Sequence, residues 1–182
     1  MSEPSFSFKR ILNHASKQGF IAGLILIGVT VVVYVFSINM YSPLMGLVSL
    51  AVTWGTIIIF LYKAAAGYRT ELDVSIMDYW PTMLLLFITA LITFYMSAFF
   101  GYLLNTVIDP EYHLELIRQF EEDILPQMPE EMRAETLART KSTMQPMKQL
   151  LSSLLGSTLM ALIFSVIMAF LVRKNPKHKE KF

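Results

Sequence analysis

The sequence predicts an all-α integral membrane protein, a four-helix bundle with a short amphipathic helical hairpin between spans 3 and 4. Three observations predict it. Residues 18–62 contain 45 consecutive positions without a charged side chain, and two more uncharged runs follow at 79–108 and 149–172. A membrane-spanning helix needs ~20 such residues, so the first run is long enough for two crossings and the others for one each. The mean hydropathy of +0.52 and the 54% hydrophobic content exceed the ~45–50% apolar content of soluble domains.

The first span is expected at about 19–38. The apolar stretch exceeds the ~7–15 residues of a signal-peptide core and lacks a small-x-small cleavage site, so it reads as a retained span. Lys9, Arg10 and Lys17 lie in the tail before it. Asn39, Tyr41, Ser42 and Pro43 make a break, with Ser42 suited to an N-cap and Pro43 to the first helical position. The second span follows at 43–66. Gly67 is its expected stop, and Lys63 can snorkel to the interface.

Asp78 suits the cap of a third span at 79–108, and Tyr79 and Trp80 stand at interfacial height. Thirty helical residues reach ~45 Å, against a hydrocarbon core ~30 Å thick, so this helix must tilt or project. Asp109-Pro110 reads as an N-cap and first helical residue. The pattern beyond is amphipathic: His113, Leu116, Ile117, Phe120 and Ile124 share one face, and Glu111, Glu115, Arg118 and Glu122 the other. Pro126 and Pro129 break that helix. A second short helix begins at Pro129, with Glu130 and Glu131 opposite its dipole. Pro146 separates it from the fourth span at 149–172. The whole chain makes one membrane domain, with residues 109–148 as its extramembranous segment.

The basic residues are unevenly placed. The two tails and the link between spans 2 and 3 hold ten, and the 109–149 segment holds five against nine acids. The positive-inside rule then places both termini in the cytoplasm and the acidic segment outside. The net charge of +1 disfavours nucleic acid as a partner and leaves membrane lipids and other proteins.

No Asp, Glu, His, Lys or Arg lies at depth in the spans. Such residues mark proton relays and ion paths, so a pump is disfavoured. Hydroxyls are frequent in the third and fourth spans: Thr89, Thr93, Tyr95 and Ser97, then Ser152, Ser153, Ser157, Thr158 and Ser165. They read either as a polar cavity or as interhelical hydrogen bonding, each bond worth ~0.6 kcal/mol. Gly19-x-x-x-Gly23 and the Gly156/Ser152 pair fit close helix packing, the first either inside the bundle or against a second copy. The absence of cysteine removes disulfides, thiol nucleophiles and thiolate metal sites. Glu121-Glu122-Asp123 point in different directions on a helix and do not converge on an ion, so no metal or other cofactor is expected. No H-E-x-x-H, G-x-S-x-G or phosphate-binding glycine loop is present, so no enzyme is expected.

Several segments carry a resemblance: Tyr68-Arg69 after span 2, Val107-Ile108-Asp109-Pro110-Glu111-Tyr112 closing span 3, Met128-Pro129-Glu130-Glu131 in the acidic segment, and the Ser/Gly-rich fourth span ending in Arg173-Lys174. Together they resemble the domain of unknown function 4199 family of small Bacteroidota membrane proteins, over nearly the whole chain. The resemblance implies a four-span protein of a Gram-negative inner membrane and no assigned activity. It marks Tyr68, Arg69, Asp109, Pro110 and Glu111 as motif positions of unknown role. Members tend to be encoded near glycosyltransferases resembling those that act on polyprenyl phosphates, which makes a membrane glycosyltransferase-like enzyme one expected partner.

The leading expectation is an accessory or structural component of the membrane that assembles with itself or with a membrane enzyme. The face His113, Leu116, Ile117, Phe120, Ile124 would cap the bundle or meet the partner. The alternative is a small transporter or flippase-like protein for a lipid-linked or apolar solute, working through the hydroxyl-bearing faces of spans 3 and 4. A surface enzyme using Arg69, Asp109 and Glu111 ranks third.

Overall fold

The computed structural model describes residues 7–39, 41–74 and 76–172. Six helices form in order: α1 (Phe8–Val35), α2 (Pro43–Leu72), α3 (Tyr79–Leu103) with a π-helical extension (Leu104–Ile108), α4 (Tyr112–Asp123), α5 (Glu130–Thr143) and α6 (Pro146–Val172). Among the described residues there is no strand. α1, α2, α3 with its extension, and α6 are each long and apolar enough to cross a membrane. Only helices and closed barrels satisfy every backbone polar group in lipid, so β-branched runs such as 29–33 are helical here against their propensity.

α3 is the central helix, packed along α1 on one side and α6 on the other. α2 rests against α1 and α3 and touches α6 lightly. Side chains such as Leu24, Val32, Leu47, Ile59, Leu155 and Leu159 point outward and exposed, as a lipid-facing belt requires. The bundle has two unlike ends. The terminal end gathers the start of α1, the end of α2, the start of α3 and the end of α6. The hairpin end carries α4 and α5. The buried core lies toward the terminal end: Ile11, Ala15, Leu61, Ala64, Ala65, Tyr68, Leu85, Leu86, Met168 and Ala169 pack in one cluster.

Small residues allow that packing. A Cβ on Gly19 would sit 2.7 Å from the Thr89 carbonyl, and one on Gly23 would sit 2.8 Å from Met96 Sδ. The Gly19-x-x-x-Gly23 pair therefore seats α1 on α3 inside the bundle, as small-x-x-x-small pairs do in membranes. Gly156 and Ser152 do the opposite: both are exposed, and a Cβ on Gly156 would meet nothing within 4 Å. The expectation that they mediate close packing is not met within this chain.

Several boundaries differ from the sequence expectation. α1 starts at Phe8, eleven residues before the apolar run, because the helix continues through Lys9, Arg10 and Lys17. It stops at Val35, short of residue 38, and Ser37 turns the chain with φ 48°. α2 passes through Gly67 and ends at Leu72, with Asp73 in the left-handed region at φ 53°. Gly67 instead makes room for the His14 ring, which a Cβ there would meet at 3.2 Å. Pro146 opens α6 instead of preceding it, as a first-turn proline can. The basic tail from Arg173 and the Pro176 beyond it lie outside the described residues.

Candidate functional site

The motif positions fall at opposite ends of the bundle. Tyr68 and Arg69 are buried near the end of α2, at the terminal end. The His14 ring stands 5.5 Å from Tyr68, centroid to centroid, and its Nδ1 lies 3.0 Å from Glu71 Oε2. Asp109, Pro110 and Glu111 sit across the bundle, after α3. Arg69 thus shares no site with Asp109 and Glu111, and the surface enzyme built on all three loses its geometry.

Asp109 is not an N-cap. α4 begins at Tyr112 with Glu111 as the preceding residue, and Pro110 lies in the turn before it. The Asp109 carboxylate accepts from the Glu111 amide at 3.1 Å and from the Tyr34 hydroxyl at 3.1 Å. The Asp109 amide donates to the Leu104 carbonyl at 2.8 Å, the i to i−5 bond of a π turn. π turns inserted in α-helices recur at functional sites. This one ends the central helix with Asp109 bonded to α1.

The face of α4 that carries His113, Leu116, Ile117 and Phe120 turns to the protein. Ile117 is buried, and His113, Leu116, Phe120 and Ile124 are half-buried, whereas Glu111, Arg118 and Glu122 are exposed. Tyr34 meets the edge of Tyr112 at 5.1 Å, and Tyr41 meets Phe120 at 5.8 Å. Asn39 donates to Asp123. His113 lies in a groove shared with Lys141 and Gln145, and Lys141 pairs with Glu121 at 2.8 Å. Among the described residues no three His, Asp or Glu side chains converge on a point that could hold a metal ion.

Beneath α4 the bundle opens. One cavity of about 350 Å³ is walled by Thr30, Tyr41, Ser49, Thr53, Ser97, Asn105 and Gln149, with Leu26, Val29 and Leu104 on its apolar side. Tyr112 and Leu116 of α4 also line it. A second cavity of about 280 Å³ adjoins it, walled by Ser153 and Ser157 of α6 and Tyr102 of α3. The two share Leu26, Thr53, Ser97, Gly101 and Gln149 as common wall residues. Their lining has no charged group. Burial pushes the Tyr41 and Tyr112 phenols above their ordinary value of 10.0, Tyr112 being raised further by Tyr34 and Asp109, so both remain neutral.

The floor follows from helix register. Four residues toward the terminal end from Leu26, Thr53, Ser97 and Ser157 stand Ala22, Ile57, Thr93 and Ala161, all buried. Positions four apart share a helix face, so each wall closes one turn below the cavity.

The hydroxyls divide between the two readings. Thr89 and Thr93 bond back to the carbonyls of Leu85 and Thr89, and Thr93 also bonds across to Gly19 at 3.2 Å. Tyr95 bonds Thr158 between helices at 2.8 Å. Ser97, Ser153 and Ser157 face the cavity. Sequence reasoning missed the bonds made by Tyr34, Asn39 and His14, and also Asn105. No local pattern announces the first three, since their partners lie 57 or more residues away. Asn105 is visible in the sequence as the one amide side chain in the third span.

Comparison with curated proteins and with solved structures finds no match. A family model described as Protein of unknown function (DUF4199) matches residues 17–174, which takes in α1 from Lys17 onward, the other three apolar helices and the hairpin. This multi-pass membrane protein therefore belongs to the DUF4199 family.

Proposed function

We propose that the chain is an accessory or structural component of a bacterial inner membrane, not an enzyme, assembling with itself or with a membrane enzyme of the glycosyltransferase-like class. Both termini lie in the cytoplasm in this reading, and the hairpin end faces out. Lys9, Arg10, Lys17 and Lys63, exposed at the terminal end, support that orientation. The observation that carries the role is the way the hairpin is spent. Its apolar face is committed to the bundle through Tyr34, Tyr41 and Phe120, so its exposed Glu111, Arg118 and Glu122 form a fixed polar surface for a partner. The terminal half supports this reading over transport. Ala15, Ala22, Ala64, Ala65, Ala90 and Ala161 are 0–1% exposed there, and a flippase needs a path through that half.

The test is purification of the full chain in mild detergent, with intact mass of the complex. It is repeated for a Glu111→Lys, Glu122→Lys variant. The expected result is a stoichiometric assembly that the double variant loses while keeping its helical content. A monomer from both preparations, or an assembly indifferent to the substitutions, would overturn the role.

A further inference from the structure

We propose that the cavity under α4 binds the headgroup of an uncharged, hydroxyl-bearing amphiphile of the monoacylglycerol class. The inference does not rest on the partner role. Asn105 carries it. Its side-chain amide donates to the Gly101 carbonyl at 2.8 Å, while its Oδ1 is buried without a hydrogen-bond partner. The residue is only 6% exposed and lines the cavity. An unsatisfied buried acceptor costs ~1–3 kcal/mol, and a turn of the Asn105 side chain into the cavity would bring Oδ1 to a donor there. A ligand hydroxyl supplies one.

The walls specify the rest. Ser49, Thr53, Ser97 and Gln149 both donate and accept, as a vicinal diol does. No cationic side chain lines the space, so an anionic headgroup would enter a neutral, partly desolvated site without a counter-charge. Leu26 and the other apolar side chains complete an amphipathic pocket of the kind that small-molecule sites use. Most of the lining residues belong to helices long enough to span a membrane, so in this proposal the ligand's chain lies toward the bilayer while its headgroup occupies the cavity. The cavity holds more than a single water, which takes about 30 Å³.

Gly101 offers a direct test. It lines both cavities, and a Cβ there would meet nothing within 4 Å. Gly101→Leu therefore starts its side chain in open space and is expected to fill the cavity. The full chain in detergent is mixed with 1-monooleoylglycerol, and separately with a phosphatidylglycerol of equal chain length, and retained lipid is counted by native mass spectrometry. The wild type is expected to retain one monooleoylglycerol in preference to the anionic lipid. Asn105→Leu should weaken retention about tenfold and Gly101→Leu should abolish it. Ser97→Ala, which removes one wall hydroxyl, should weaken it several-fold and serves if either larger change prevents folding. Retention of the anionic lipid in preference, retention indifferent to these substitutions, or a cavity that takes up water alone would each overturn the proposal.

Discussion

The two halves of this bundle are made of the same four helices and solve opposite problems. Toward the terminal end, α1 meets the Thr89 backbone carbonyl of α3 at Gly19 and the Met96 side chain at Gly23, and Leu85, Leu86 and Tyr68 are fully buried. Toward the hairpin end the same helices carry Gly101, whose missing side chain faces open space, and serines that face a cavity. A glycine has opposite meanings in the two places. Helix association in lipid has little hydrophobic drive and depends on close packing, so the terminal half supplies the cohesion that lets the other half stay open.

The sharpest way to break that contrast is to add the same side chain on both sides of it. Gly19→Leu pushes a Cβ to 2.7 Å from the Thr89 carbonyl, and backbone cannot yield as a flexible side chain can. Overpacking of this kind typically costs ~1–3 kcal/mol. At Gly101 an added Cβ meets no atom within 4 Å, and Gly101→Leu gains helix propensity, by up to ~1 kcal/mol relative to glycine. Thermal melting in detergent should show a clear drop for the first variant and no drop, or a small rise, for the second. Equal losses at the two positions would mean that the halves are not differently packed.

A second variant probes how α4 is held over the cavity. Tyr34→Phe removes the hydroxyl that Asp109 accepts at 3.1 Å and leaves the ring that meets Tyr112. The packed half has no part in this bond, so melting should hardly move. Hydrogen exchange across Tyr112–Asp123 should become several-fold faster, with the α1–α3 contact near Gly19 unchanged. Faster exchange in both places would show that the hairpin and the packed half form one cooperative unit.

The same contrast explains what the sequence could reveal. Four spans, the amphipathic face of α4 and its breaks at proline are local patterns, and hydropathy and helical period expose them. The start of α1 was hidden because hydropathy registers where lipid ends, while the helix runs on through Lys9 and Arg10. Gly67 looked like a stop because a C-terminal glycine and a glycine under a histidine ring are the same letter. The cavity was half visible. Hydroxyls on spans 3 and 4 are plain to see, but whether a given one bonds its own helix, as Thr89 does, or faces a space, as Ser153 does, depends on the neighbouring helix. The π turn at Leu104–Ile108 has no local signature. It sets Asp109 beside a tyrosine 75 residues away.

An exposed ion pair in the hairpin half, Lys141–Glu121 at 2.8 Å, joins α5 to α4. Its side chains are 53% and 36% exposed, and exposed ion pairs of this kind are worth ~0–1 kcal/mol. Lys141→Ala should therefore leave melting almost unchanged, and raised salt should erase what difference remains, since exposed charges are screened. The informative readout is again exchange: α5 should loosen while α4 does not. α4 has its own attachments, through Asp109, Phe120 and Asp123, to residues at or just beyond the end of α1. α5 (Glu130–Thr143) has no buried residue. If α4 loosens along with α5, the cover over the cavity depends on the whole hairpin. If α5 loosens alone, α4 by itself covers the cavity, and α5 is the connection that returns the chain to α6.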